Sequence, residues 1–549
     1  IKETYIKHII AKQKTAYDMY SRFYRWAMDR LDSNGIIAFI SNRSFIDSRT
    51  FDGFRRTVMD EFDYAYIIDT KSDVRQNPKI AGTTHNVFGI QTGVAVMFLI
   101  KQKQRENAQC RISYFTLEDN CLKDDKLLWF IENRLPSIPF SNIAPDKDNN
   151  WINLTDNDWE EMIPVADKSV KNSSIKNGVV FDLYSLGIVT NRDEWVYDYS
   201  KDAVGKKAEY FIDFFNAEKS RWQNADFPIP LNDFVDRTIK WTEELETHLK
   251  RNSNLEFNDN RIRKSMYRPF VSLYTYFDKI ITHRLYQHDS IFPVFFPEKE
   301  NTVICFISGS RLDFGLIITN SMPNLAMFSL DPTQCLPLYR YDRDGTRHDN
   351  ITDWALNEFR QHYQDESIGK EDIFHYVYGV LHDPLYRKKY EINLKRSLPR
   401  LPWQADFWQW ANWGRELMDL HLGFETAEPW PLEIVETKDD SPEPLPPKAK
   451  LKADKLEGTI ILTDQLRLTG VPASAWDYKL GNRSALEWIL DQYREKKPKD
   501  PTIAKLFNSY RFADYQDKVI ELLRRVTTVS VRTMEIVQEM EKTLCKSNS

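Results

Sequence analysis

Three apolar runs crowded into residues 35–100 constrain this 549-residue chain more than any other feature, because backbone so apolar must be paired and covered. The first, Gly35-Ile-Ile-Ala-Phe-Ile40, ends in Ser41, Asn42 and Arg43 and has the pattern of a strand covered on both faces. Phe51, Phe54, Val58 and Phe62 follow at helical spacing, and residues 64–69 form a second apolar run closed by Asp69. Together they predict a strand-helix-strand unit. The third run, residues 86–100, is divided by Gln91, Thr92 and Gly93, a short connection that favours a hairpin. The expectation is an α/β fold, with a parallel sheet finished by an antiparallel hairpin. Ser41 and Asn42, at the carboxyl end of their strand, stand where open α/β sheets place ligands, and they equally fit a strand-ending turn.

Ahead of this stretch, residues 12–31 place Tyr17, Tyr20, Phe23, Tyr24 and Ala27 near one face of an amphipathic helix. Residues 71–79 are polar and aperiodic, the signature of a loop. From about residue 150 to 430 the α/β alternation gives way to short strands, short helices and clustered aromatics, which predicts a mixed α+β region. Its strands are expected at 303–307, 314–319 and 325–328, and its helices at 373–394 and 407–422. Residues 435–455 are charged and proline-rich and read as a linker or exposed loop. The tail predicts a strand pair from Thr459, a turn at 480–483, and helices at 485–494 and 518–525.

Composition narrows the chemistry. Only 18 glycines in 549 residues disfavour a glycine-rich phosphate loop, and a net charge of −6 with a pI near 6.0 means that any nucleic-acid contact must come from local patches. Five cysteines without C-x-x-C spacing give neither a zinc ribbon nor a disulfide framework, which fits a reducing cytoplasm. No apolar run reaches the length of a membrane span. Length alone predicts two or three domains.

Patches that could meet DNA do occur. Arg261, Arg263, Tyr267, Arg268, Tyr274 and Arg284 interleave cations with aromatics, a pattern that suits phosphate neutralisation and also suits a solvated basic face beside a core strand. Arg192, Asp193 and Trp195 form a compact cluster after a predicted strand, with a DNA role and a structural salt bridge both open. The basic run Arg387, Lys388, Lys389, Lys395, Arg396 and Arg400 recurs near helical spacing, with a DNA contact and a solvated helix face both open. Glu436 and Lys438 imitate the end of a nuclease motif without an upstream acidic partner. His283 and His288 are spaced wrongly for ligation on a helix, so no metal is expected. Thr463 and Ser484 lack His-Asp partners for nucleophilic catalysis.

Several of these residues carry a resemblance. Tyr20, Phe23, Trp26, the run from Gly35 to Phe45, Phe54-Arg55, Ile68-Asp69, Val87-Phe88 and Gly93-Val-Ala-Val96 resemble, in order and spacing, the later half of an adenine-N6 DNA methyltransferase. Thr190-Asn-Arg-Asp-Glu-Trp195, Tyr267-Arg-Pro-Phe270, Pro384-Leu-Tyr-Arg387 and Leu398-Pro-Arg-Leu-Pro402 resemble a narrower group, the single-polypeptide Type I (Type ISP) restriction-modification enzymes. The resemblance implies the C-terminal half of a Rossmann-like methyltransferase sheet followed by a target-recognition region. It implies methyl transfer from S-adenosylmethionine to adenine N6 in double-stranded DNA, with Phe88 stacking on the flipped base; read alone, Phe88 is a sheet-edge core aromatic. Ser41 and Asn42 fall at the active site, and Arg192, Asp193, Trp195, Arg261, Arg263, Tyr267, Arg268 and Arg284 at DNA contacts.

The implied domains are 1–125, half of the methyltransferase; 126–165, a connector; 166–435, target recognition; 436–457, a linker; and 458–549, the end of the specificity region. Neither a Phe-x-Gly-x-Gly cofactor loop nor an Asn-Pro-Pro-Tyr catalytic loop occurs in the sequence, which starts at Ile1. The expectation is therefore a catalytically incomplete C-terminal part whose cofactor loop and possible helicase and nuclease lie upstream. The alternative is a DNA-recognition scaffold that directs an upstream helicase-nuclease without methylating.

Overall fold

In the computed structural model, which describes all residues except 9–17, 73–84, 91, 105–108, 119–120, 147–148, 153–156, 168–176, 226–229, 295–297, 308, 310–311, 330, 438–448 and 548–549, the chain forms two units, Ile1–Asp156 and Asn157–Ser549. Most of the polar run 71–79, the start of the helix expected from residue 12, and the centre of the proline-rich stretch lie outside the described residues.

The first unit runs α1 (Met19–Met28), β1 (Gly35–Asn42), α2 (Asp52–Glu61), β2 (Tyr64–Asp69), β3 (Val94–Lys101), β4 (Arg111–Thr116), α3 (Lys123–Glu132) and β5 (Ser141–Ile143). Its sheet has the order β1-β3-β2-β4-β5. Strands β1 and β2 both run antiparallel to β3, which lies between them, while β2 and β4 are parallel. The expected hairpin does not form. Residues 85–90 make a turn instead of a strand, because the Asn86 side chain bonds its local backbone and Gly89 adopts a left-handed φ of 66°. Strand β3 takes its partners from the two flanking runs.

On one face of the sheet Ile37, Ile67, Met97 and Leu99 pack with Tyr24, Phe45, Phe54 and Val58 from α1, α2 and their connections. On the other, Trp129 stacks on Phe115 at 5.0 Å and Phe140 meets Tyr66 at 5.4 Å, covering the β2–β4 side. Among the described residues, strand β1 is not covered on both faces as its sequence suggested. It is one of the two edge strands, and Ile36 and Ile40 are 66% and 59% exposed.

The second unit is mixed α/β, built from several small sheets with no barrel among the described residues. One sheet carries the hairpin Ile262–Arg268 and Val271–Tyr276, flanked by Met322–Pro323 and Tyr197–Asp198. A second has Val303–Ile307 between Leu316–Thr319 and Thr333–Pro337. A third joins Glu433–Glu436, Leu466–Thr469, Thr459–Thr463 and Ala449–Asp454, so part of the expected linker is paired strand. Residues 325–328, expected as a strand, form a turn with Met327 and Phe328 buried.

The helices Lys370–Val380 and Phe407–Leu422 pack backbone to backbone. A Cβ on Gly414 would lie 1.8 Å from the His375 carbonyl oxygen, and one on Gly379 would lie 2.4 Å from that of Trp410. Nearby, buried His421 receives the Tyr378 hydroxyl on Nδ1 at 2.6 Å and donates from Nε2 to Thr533 Oγ1 at 2.9 Å. Thr533 in turn donates to the Val529 carbonyl, which fixes that tautomer. No helix among the described residues is long and apolar enough to cross a membrane.

Candidate nucleic-acid interface

One end of the first sheet gathers the carboxyl ends of β1 and β2 with the amino end of β3. The register places Asn42 opposite Val94 and Asp69 opposite Ala95. The backbone N–H groups of Arg43 and Thr70 donate to the carbonyls of Gly93 and Val94 at 3.1 and 3.0 Å. Within this edge Arg43 and Asp69 form a buried pair: Nε and Nη2 of Arg43 each donate to the carboxylate at 2.9 Å, and Nη2 also reaches Asp47 at 2.8 Å. Burial alone would raise the Asp69 carboxyl, but the bonds and charge of Arg43 reverse this and hold it below the usual range. Tyr114 adds a hydroxyl donated to Asp69 at 2.9 Å.

Beyond β2 the chain turns through two left-handed residues, Lys71 and Ser72, with φ of 54° and 59°. The Lys126 ammonium, fully buried beneath α3, donates to the Thr70 carbonyl at 2.6 Å and bonds the Ser72 hydroxyl. A strained turn is thereby held by a buried cation.

Phe88 stands on the turn beside this edge and is 56% exposed. It is therefore not the core aromatic that its apolar neighbours allow. Ser41 and Asn42 face inward duties. Ser41 Oγ lies 3.3 Å from Tyr24 Oη, and Asn42 Oδ1 accepts from the Ser44 N–H and hydroxyl at 2.8 and 2.6 Å, capping the short helix that follows.

In the second unit, the DNA-contact residues expected from sequence separate into enclosed and open groups. Arg192 is enclosed: Nη1 donates to the Ile281 carbonyl at 2.6 Å, Nη2 to Thr242 Oγ1 at 2.7 Å, and its guanidinium lies over Phe211. Burial pushes it down to about 10, with Glu244 opposing. Trp195 is buried against Tyr210 and Phe211 and donates to Asp500 at 2.8 Å. Arg263, 4% exposed, donates from Nη1 to the carbonyls of Phe292 and Pro293 at 2.9 and 3.3 Å and pairs with Glu298 at 3.1 Å. These three side chains tie the fold together from inside, so in this conformation none has a polar face to offer a ligand.

Asp193, Tyr267 and Arg268 come together. Thr190 and Tyr267 both bond the Asp193 carboxylate, the latter at 2.9 Å, while the Arg268 guanidinium stacks 4.1 Å over the Tyr267 ring. Arg261 pairs with Asp278, and Arg284, mostly exposed, lies 3.8 Å from Glu244. Two residues of the same hairpin face outward together: Lys264 and Tyr274 are directly opposite in register. With Ser272, Glu425, Lys518 and Arg525 they line an open cavity of about 400 Å³. Strand alternation does not find Lys264, which shares its parity with the buried Ile262 and Met266 and is exposed between buried Arg263 and Ser265.

The model of the Type ISP C-terminal specificity domain matches residues 179–522. Among solved structures, the chain is similar to a DrdV–DNA complex determined by cryo-electron microscopy, with 43% identity and a TM-score of 0.84, covering 98% of this chain and 54% of that one. It is also similar to a nuclease-deletion mutant of the Type ISP restriction-modification enzyme LlaGI in complex with a DNA substrate mimic (30% identity, TM-score 0.76, 98% and 49% covered). The ATP-dependent Type ISP restriction-modification enzyme LlaBIII bound to DNA is a third (26%, 0.77, 98% and 35%). The chain thus spans about half or less of these polypeptides. No curated protein matches it. On the match over residues 179–522, the chain belongs to the Type ISP C-terminal specificity domain family and corresponds to the target-recognition part of a Type ISP restriction-modification enzyme.

Proposed function

We propose that this chain recognises a specific site in duplex DNA and contributes the later half of an adenine-N6 methyltransferase, a half-sheet of Rossmann type completed by upstream sequence. Three similar solved structures, those of DrdV, LlaGI and LlaBIII, hold DNA or a DNA substrate mimic. The open edge of β1 and the exposed Ile36 and Ile40 beside it suit a further strand and a covering layer. Recognition falls to the second unit, where Arg268, Arg284, Lys264 and Tyr274 are the outward groups of the basic-aromatic patch.

S-adenosylmethionine supplies the methyl group in this chemistry. The residues present do not by themselves fit it: the glycine loop is not encoded, Asn42 caps a helix, and Arg43 and Asp69 are committed to each other. Its seat is assigned to the upstream portion, and this chain alone is expected to transfer no methyl groups.

The single observation that carries the methyltransferase half of the reading is Phe88, an exposed aromatic ring on a hydrogen-bonded turn beside the strand-end edge. A flipped adenine has lost its stacking neighbours, and such a face returns roughly 1–3 kcal/mol per base. In the full-length polypeptide, Phe88→Ala should lower incorporation of labelled methyl groups into unmethylated DNA by about one to two powers of ten, leaving DNA affinity within about threefold. Phe88→Trp should retain most activity. Unchanged turnover in the Ala variant would remove the methylation reading and leave a DNA-recognition module.

A further inference from the structure

We infer that Asn86 is the positioning residue that presents Phe88, an assignment that rests on the stacking role proposed for that ring. Asn86 is buried at 2% exposure, two residues from a side chain that is 56% exposed. Its Oδ1 accepts from the Phe88 N–H at 2.9 Å and lies 3.5 Å from the Ile90 N–H. Its Nδ2 donates across the turn to the Thr92 carbonyl at 2.8 Å, and its own carbonyl accepts from the Gly89 N–H at 3.0 Å. One amide therefore holds the backbone at both the start and the close of the turn. The turn uses an acceptor and a donor on separate atoms of one short side chain, which Asp and Leu lack and Ser carries on a single oxygen, and this selects Asn at this position.

The far end of the turn is fixed by an independent contact. Gly93 lies against the aliphatic part of Arg43, where a Cβ would come within 2.5 Å of Arg43 Cδ and 2.9 Å of the Lys71 carbonyl oxygen. The Arg43 backbone N–H also donates to the turn's last carbonyl, that of Gly93, at 3.1 Å. The buried Arg43–Asp69 pair is thus the floor on which the turn closes, and Asn86 is the brace within it. A ring held on a braced turn meets the extruded base without first being ordered, so the ordering cost falls outside the step that stacking assists.

The test is a double-variant cycle in the full-length polypeptide, reading kcat and KM for DNA with labelled S-adenosylmethionine. Asn86→Ala should lower kcat at least fivefold with KM for DNA changed less than twofold, and thermal unfolding should show that the protein is folded at the assay temperature. Asn86→Asp, which retains the acceptor to Phe88 and loses the donor to Thr92, should fall between wild type and Ala. Added to Phe88→Ala, the Asn86→Ala change should cost less than a further twofold, because its effect passes through the ring. Multiplying losses in the double variant, or full activity in Asn86→Ala while Phe88→Ala is impaired, would overturn the positioning role and leave the stacking role standing. Silence of Phe88→Ala itself would overturn both.

Discussion

Replacing Arg263 and Arg268 separately by alanine tests the division of one strand into framework and reading surface. Arg263 donates to two buried carbonyls and pairs with Glu298. A hydrogen bond from a charged group is worth about 1.5–3 kcal/mol, and a buried acceptor left bare adds its own desolvation cost. With one bond short and one long, Arg263→Ala should destabilise the second unit by about 3 kcal/mol in urea unfolding. The slope of log affinity against log salt should stay as in wild type, since no phosphate contact is lost. Arg268 has one backbone bond and a stacked ring, and is partly open to solvent. Its alanine variant should lose under about 1 kcal/mol and flatten the salt slope by about 0.9 for one phosphate contact. An Arg263→Ala protein with an unmoved unfolding midpoint and a flattened slope would refute the division, and so would Arg268→Ala with a wild-type slope.

Two further outcomes are expected. Burial, with Arg387 adding to it, holds His421 at about 3, far below the value it has when unfolded, so the unfolded chain takes up the proton first. Stability from this group is complete above about pH 6.5 and is lost as pH falls toward 3, by about 1.4 kcal/mol per unit. His421→Asn should show a shallower loss between pH 6 and 4, and parallel curves would remove His421 from the acid response. Separately, Ile36→Lys and Ile40→Lys should leave the melting temperature of the 549-residue chain within about 2 °C and impair folding or activity of the full-length polypeptide; equal tolerance in both settings would argue against a covering layer on β1.

The periodic signals were legible where burial alone decides them. The helix Phe407–Leu422 and the strands Val303–Ile307 and Leu316–Thr319 stand where their apolar spacing put them, whereas the helical run expected over 373–394 is three helices, Lys370–Val380, Pro384–Lys389 and Glu391–Arg396, the second started afresh by the Asp383 cap and Pro384. What local pattern could not convey was the far partner of a polar group. Arg263 and Lys264 are adjacent cations, yet the first is enclosed because carbonyls 29 and 30 residues later reach it. Arg192 is likewise enclosed by Ile281, 89 residues away. Asn86 sits in an apolar run that reads as a strand, and its side-chain amide competes with the ladder and wins. At β1 the sequence described a strand with two covered faces, whereas the described residues cover only one and leave Ile36 and Ile40 exposed, because an apolar run does not reveal which of its faces will find a neighbour.

An edge strand that displays unpaired N–H and C=O groups beside bare isoleucines is also a template for copies of itself. Lys and Pro, the residues that commonly blunt such edges, are both missing from Gly35–Asn42. Prepared by itself at high concentration, the chain should therefore associate edge to edge through β1, and its yield should depend on how quickly that edge is capped during synthesis. A further strand supplied by the same polypeptide, as proposed above, would cap this edge and make the order of emergence matter.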